Sequence, residues 1–399
     1  MKIAIIGGGA SGIVAAITCK KNGNDVTIIE GNDKLGKKIL VTGNGRCNYF
    51  NDDFSINHYH SSDIDLLKPL INDENKNKVL DFFYSIGIIP KVIDGYYYPV
   101  TNQATTILES LHNEIKRLGI NILLNTKVNS IKYDNKFIIN DELEFDKVII
   151  ACGSKAAPKT GSDGVGYQIA ELFNHTIIKP LPALVQLKSD MKYMKDWSGI
   201  RTDATIKMYE NDEYIKEERG ELQLTDYGIS GICTFQLSRD IVIGLDSNKK
   251  EQIYINFIPW LKSNTLEYLE GRNEMMHNPS VQDLLDGMLN YKLVNMILKK
   301  NHINNSALYN KLSISEKRDI CNDLDNFKVN IIGYNSFDKA QTCSGGIPLS
   351  EINIKTFESN KQSNLYFIGE ILDVDGECGG YNLGFAWLSG ILVGEHIND

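Results

Sequence analysis

What the chain lacks narrows its possibilities first. No run of roughly 18–20 apolar residues occurs, so no segment is suited to a membrane helix and no membrane partner is expected. The opening, Lys2 followed by Ile3-Ala4-Ile5-Ile6, imitates a signal peptide. It is cut short by Gly7-Gly8-Gly9 and no small-residue cleavage site follows, so it reads as a buried strand. Basic residues are in deficit: 42 Lys and Arg face 51 Asp and Glu, a formal net charge of −9. Phosphate binding along a nucleic acid needs a basic face, so nucleic acid is not expected as a partner; Lys34, Lys37 and Lys38 form a candidate local patch. The seven cysteines are scattered with no C-x-x-C pair, which excludes a zinc ribbon or a thioredoxin-like motif. Scattered cysteines without a signal peptide fit a reducing cytoplasm. His58 and His60 make an H-x-H pair, but on an extended segment this reads as surface decoration, and no metal site is expected. No internal repeat or low-complexity tract is present.

What is there points to an α/β protein. The 399 residues allow two or three domains. The chain opens as strand (Lys2 to Ile6), glycine turn, helix (Ala10 to Lys21) and strand (Asp25 to Glu30), the alternation of a parallel sheet. Short strand runs follow at Ile122–Leu124, Val128–Tyr133, Phe137–Ile139 and Lys147–Ala151, with Asp134-Asn135 and Asn140-Asp141 as turns, a β-meander returning into a buried strand. From about Lys188 to Trp260 the pattern is strand-rich, with turn signals at Asn211-Asp212 and Ser247-Asn248. The period then becomes helical through Val281, Leu284, Leu285, Met288 and Leu289, and again through Leu293, Val294, Ile297 and Leu298. Ser313 with Glu316 has the spacing of a capping box. Strand pattern returns at Val329–Ile332, and Leu365–Ile397 reads as strand, glycine-rich loop and helix. The expected architecture is a nucleotide domain built from both chain ends (1–188 and 342–399), a β-rich insert (189–262 and 327–341) and a nested helical domain (263–326).

Gly7, Gly9 and Gly12 form G-x-G-x-x-G directly after a strand, with Ala10 and Ser11 opening the helix. The first glycine permits the tight turn, the second a close approach of the pyrophosphate, the third close packing of helix on strand. The helix N-terminus offers free N–H groups to phosphate, and Ser11 adds a hydroxyl. Glu30, at the end of the second strand, is the acid expected about 20 residues on, accepting hydrogen bonds from ribose hydroxyls and disfavouring a 2′-phosphate. The other chain end favours FAD over NAD. Leu365-Tyr366-Phe367-Ile368-Gly369-Glu370 is a buried strand ending in Gly-acid, where large flavoproteins bind the ribityl chain. The loop from Asp373 through Gly380 and Asn382 then opens a helix at Leu383, whose N-terminus suits negative charge on a reduced flavin.

Together these residues resemble the HI0933-like, BaiN-like (YhiN-type) NAD(P)/FAD-dependent oxidoreductases. The most specific pieces are Gly36 to Asn48, containing Lys37, Lys38, Thr42, Gly43, Asn44, Arg46 and Cys47, and Gly369 to Gly376 with Gly379 to Leu383. Supporting pieces are Ala151-Cys152-Gly153, Thr160-Gly161-Ser162, Pro182 to Val185 and Gly228 to Gly231. The resemblance implies non-covalent FAD, a Rossmann-like FAD domain with a β-barrel-like insert, and a small helical domain nested in it. It implies FAD contacts at Ser11, Glu30, Lys37, Lys38, Gly43, Val128, Glu370 and Leu383, Val128 acting through its backbone near the adenine. Tyr96, Asp226, Ile232 and Thr342-Cys343 depart from the family pattern, and Tyr96 and Asp226 bear on substrate.

Flavin carries the redox step, and reduction of an alkene also needs a proton donor. Tyr96, Tyr97, Tyr98 and Tyr381 are candidates, as is Cys47, whose thiol the neighbouring Arg46 is expected to acidify; no catalytic residue is assigned. The leading expectation is reduction of a small enone-like molecule by NAD(P)H bound transiently. An FAD amine oxidase using oxygen and a non-catalytic flavin sensor are the alternatives.

Overall fold

The parallel sheet forms because its strands are apolar on both faces. In β1 (Lys2–Ile6) every residue after Lys2 is buried, the mark of a strand covered on both sides. β1 pairs in parallel with β2 (Asp25–Ile29) on one side and with Lys147–Ile150 on the other. Asn121–Leu123 extends the sheet beyond β2, and Leu365–Phe367 extends it beyond Lys147–Ile150. Both chain ends thus share one five-stranded sheet. The computed structural model describes residues 1–399, which divide into two units: Met1–Pro182 with Ala340–Asp399, and Ala183–Lys339.

In the first unit, α1 (Ala10–Lys21) follows β1 and lies against the C-terminal helix Tyr381–His396. Two glycines allow the close approach. A Cβ on Gly390 would meet Ser11 O at 2.6 Å, and one on Gly394 would meet Thr18 Cβ at 2.5 Å. The C-terminal helix is apolar on nearly every side, as expected of a helix wrapped by the core. No helix of the chain is long and apolar enough to cross a membrane. The meander is present as three antiparallel strands between Ile131 and Phe145.

The meander begins later than its sequence pattern suggests. Val128 lies in the loop before Ile131–Asp134, because the Asn129 and Ser130 N–H groups donate to the Asn140 side chain instead of a ladder partner. β2 likewise ends at Ile29, leaving Glu30 as the first residue beyond it.

The second unit is a closed six-stranded barrel: Leu187–Ser189, Gly228–Gly231, Glu213–Leu224, Arg201–Glu210, Glu251–Asn256, Phe327–Tyr334 and back to the first. Asn211 and Asp212 turn one hairpin with φ of 51° and 68°, the left-handed pair a tight hairpin demands. One stretch read as strand is not. Ile232–Asp246 is a helix whose Cys233, Leu237 and Ile241 recur every four residues on the buried face. Its β-branched content imitates a strand, and packing against the barrel overrides that propensity. Ser313 and Glu316 form the expected reciprocal capping box.

Candidate functional site

The glycine loop separates into positions the chain needs and one it does not. A Cβ on Gly7 (φ 104°) would stand 2.5 Å from Ala151 O, and one on Gly12 would stand 2.0 Å from Gly7 O. Those two glycines allow helix and strand to touch. A Cβ on Gly9 would meet nothing within 4 Å. Gly9 caps α1 without any side-chain hydrogen bond, so no capping side chain takes the first-turn N–H groups, at Ala10 and Ser11, which carry the positive end of the helix dipole. Glu30 is bound to the same glycine loop. Its Oε2 accepts from Gly8 N at 2.8 Å, and its Oε1 accepts from Asn32 N and Nδ2 at 2.8 and 2.7 Å. The loop carrying Val128 is tied to the same acid, Thr126 N donating to Glu30 O at 2.9 Å.

The C-terminal strand brings its own acid to this loop. A Cβ on Gly369 (φ 73°) would lie 2.6 Å from Ser11 Oγ, so the Gly369-Glu370 turn adjoins the first turn of α1. Glu370 Oε2 accepts from Lys38 Nζ at 2.6 Å and from Ser154 Oγ at 3.4 Å. A Cβ on Gly153 (φ 71°), just beyond Ala151, would stand 4.0 Å from the same oxygen. Lys37 instead pairs with Asp33 at 2.7 Å and donates to Asn32 Oδ1 at 3.3 Å. Asp373 points elsewhere: its Oδ2 accepts from Ser62 N and Oγ. Asn382 closes its own loop, accepting from Gly376 N at 2.9 Å and donating to Gly376 O at 2.7 Å. Gly380 (φ 94°) caps the C-terminal helix with no side-chain bond. The helix start, with Leu383 in its first turn, is therefore uncapped, as are those of Ala104–Leu118 and Val165–Leu172 in the same unit.

Three buried polar atoms here have no partner: Asn48 Oδ1, Tyr167 Oη and Thr342 Oγ1. Asn48 lies beside Gly43. Burial raises the Tyr167 phenol, and Cys343, Glu370 and Asp373 add to the rise. Orphaned buried groups are rare and costly. Together with the uncapped starts of α1 and the C-terminal helix, and with two acids, they suit a hydroxyl-rich diphosphate such as FAD. Glu30 would take the adenosine ribose, the α1 start and Gly9 the pyrophosphate, and Glu370 the ribityl chain.

The loop after Lys38 overturns one expectation. Gly43, Asn44, Gly45 and Cys47 all have φ between 54° and 82°. This run turns Arg46 outward, its guanidinium 5.2 Å from the Tyr98 ring, and Thr42 Oγ1 back onto Ile39 O. Cys47 turns inward and is fully buried. Burial pushes its thiol up to about 11, against a smaller lowering by Thr42; Arg46 does not acidify it. Burial raises the other six thiols too, and none forms a disulfide. Thiol-reagent titration of the native protein at pH 8 is therefore expected to find well under one fast-reacting cysteine per chain, against seven after denaturation. One fast native thiol lost in Cys47→Ala would restore the reactive reading.

The tyrosines line a rim near the C-terminal helix. The hairpin Pro90–Ile93 and Tyr96–Pro99 pairs with Phe50–Asn51. Phe50's backbone would meet a Cβ on Gly380 at 2.8 Å, and the Tyr96 ring would meet one on Gly379 at 3.0 Å. Tyr97 donates to Asp52 Oδ1 at 3.2 Å, while Tyr381 is buried with its ring stacked on His58. His58 was missed as a site residue. Its ring bridges Asp53 and Glu377 at 2.9 and 2.8 Å, so it is no surface decoration. Only the H-x-H pair hinted at it, since Glu377 lies 319 positions away.

The chain matches the family described as "HI0933-like protein Rossmann domain" over residues 1–396. It is 38% identical to the 3-dehydro-bile acid delta(4,6)-reductase of Clostridium scindens, across 99% of this chain and 98% of that one. It is 28% identical to the ribosomal RNA dihydrouridine synthase of Haemophilus influenzae (96% of this chain, 95% of that protein). It is 27% identical to the ribosomal RNA dihydrouridine synthase of Escherichia coli, with the same coverage.

Proposed function

Because the chain belongs to the HI0933-like Rossmann family, we propose that it is an FAD-dependent oxidoreductase that reduces a carbon–carbon double bond conjugated to a carbonyl, with NAD(P)H as electron donor. The observation that carries the FAD reading is the meeting of two acid-tipped strand ends from opposite ends of the chain, Glu30 and Glu370, about the uncapped start of α1. A nicotinamide dinucleotide alone leaves the second end without a task.

Two features support the reaction class. The names of the relatives share one chemistry, since a Δ4,6-3-oxo steroid acid and the uracil ring each hold an alkene in conjugation with a carbonyl. Bound FAD supplies a hydride to such a bond, and the protein's task is to orient the alkene, exclude water and deliver the proton. The rim supports an apolar substrate. Val92, Ile93 and Tyr96 on the hairpin are exposed, and apolar surface beside a site favours an apolar small molecule. The net charge of −9 also disfavours RNA.

The test is anaerobic. Addition of NADH or NADPH to the purified protein is expected to bleach the flavin's visible absorption. An apolar 3-oxo-Δ4 steroid is then expected to restore it stoichiometrically, and a uridine-containing ribosomal RNA fragment to leave it bleached. Recovery with the RNA alone replaces the substrate half of the proposal. No bleaching with either nucleotide removes the donor half.

A further inference from the structure

His58 sits where a proton is structurally required. Its Nδ1 lies 2.8 Å from Glu377 Oε2, and its Nε2 lies 2.9 Å from Asp53 Oδ2. A neutral imidazole carries one N–H, and ionised carboxylates only accept. Two such contacts on one ring need both nitrogens to donate, which is the imidazolium. The ring also stacks on Tyr381, with centroids 4.4 Å apart and planes 18° from parallel, an arrangement that favours a cation. The backbone reinforces the contact. Glu377 N donates to His58 O at 3.0 Å, Tyr59 pairs with Gly376 and His60 with Asp375, and Tyr59 Oη donates to Tyr381 O at 3.2 Å. His58 therefore grips Tyr381, the first residue of the C-terminal helix, and the Glu377–Gly380 turn before it.

We propose that His58 is a positioning residue of the site: its protonated ring, bridging Asp53 and Glu377, holds Tyr381 and the Cys378–Gly380 turn in the conformation that presents the C-terminal helix start to the flavin. This rests on the FAD reading of the site. Burial draws the imidazole's pKa down, but the hydrogen bonds and charges of Asp53 and Glu377 outweigh it and leave it raised. The sign follows from that direction. The clamp is complete below the ordinary imidazole range and is lost as pH rises through the raised value. The other titratable groups around it are Tyr59, which opens the strand that follows it, Tyr381 from the helix, and Tyr96 with Cys378 on the rim. Burial is the first cause of the raised value in each of the four, so all stay neutral across this window.

The experiment uses the full chain with bound FAD. The flavin midpoint potential is followed against pH for wild type, His58→Gln and Glu377→Gln, with amide hydrogen exchange of residues 379–382 and ¹H–¹⁵N imidazole spectra alongside. The wild-type potential is expected to bend at the pH where His58 titrates. The bend moves to lower pH in Glu377→Gln and disappears in His58→Gln, which still binds FAD. Amides 379–382 should exchange about tenfold faster in His58→Gln, the equivalent of one lost charge-assisted hydrogen bond. A His58→Gln potential curve that overlays wild type, with FAD bound, overturns the proposal. If wild type takes up no FAD, the site reading fails instead. The clamp is then judged alone: a raised imidazole pKa that falls in Glu377→Gln sustains it, and an ordinary imidazole with unchanged exchange overturns it.

Discussion

Replacing Glu251 with glutamine is expected to raise the melting temperature at pH 8 by about 5–10 °C, the gain shrinking to nearly nothing below about pH 5. Glu251 opens a barrel strand directly opposite Glu210, and like charges facing each other across strands repel. The residue is 2% exposed, and neither of its carboxyl oxygens has a partner. A Cβ on Gly244 would meet Glu251 Oε1 at 1.9 Å and Glu210 Oε2 at 3.2 Å, so both acids crowd over the barrel helix. Burial first, and then Glu210, push the Glu251 carboxyl up to about 7; Lys249, which pairs with Glu210 at 2.8 Å, opposes them.

A folded acid with a raised pKa holds its proton where the unfolded chain has released it. Stability therefore falls as pH rises between about 4.5, the unfolded value, and about 7. The accumulated penalty above that window is on the order of 3 kcal/mol. Glutamine removes the charge and places an amide donor beside Glu210. Melting curves of wild type and Glu251→Gln at pH 5, 6, 7 and 8 check the effect. A constant difference across that range rules out the titration, and a loss of stability at pH 8 rules out the repulsion.

The second large effect separates cofactor from fold. Gly9→Ala is expected to weaken FAD binding about 10–100-fold, the cost of about 1.4–2.8 kcal/mol at the pyrophosphate. The fold should tolerate the change. Gly9 has extended backbone (φ −85°, ψ −162°) and open space at its Cβ. The poorer N-cap costs about 1 kcal/mol at most. Gly12→Ala is the contrast, because its methyl would stand 2.0 Å from Gly7 O, forcing helix and strand apart and unfolding the unit. Flavin-fluorescence titration with thermal melts of the apoprotein separates the two. An unchanged affinity in Gly9→Ala means that no pyrophosphate crosses that glycine.

Local chemistry made part of this protein legible from its residues alone. The opening strand, turn, helix and strand rest on apolar spacing and on the spacing of Gly7, Gly9 and Gly12, of which Gly7 alone takes a positive φ. The capping box of Ser313 and Glu316 and the hairpin turn at Asn211-Asp212 were legible for the same reason: each is settled within a few residues. Glu30 and Glu370 were visible as acids at strand ends. That they meet about one loop, through Ser11 and Gly369, depends on parallel pairing that joins the strands of both chain ends through Lys147–Ile150.

Features that join distant positions required the tertiary structure. Ile232–Asp246 carries β-branched residues yet winds into a helix, because its four-residue apolar repeat packs on the barrel. Cys47 beside Arg46 looked reactive, but a positive φ at Cys47 sends the two side chains opposite ways, and burial outweighs sequence neighbourhood. His58 gained its carboxylates, and Glu251 its repelling neighbour, from other strands and loops. Spacing and backbone preference act along the chain and were determined by the sequence itself. Burial and charge pairing act through space, so only the folded structure decided which acids, thiols and imidazoles face one another.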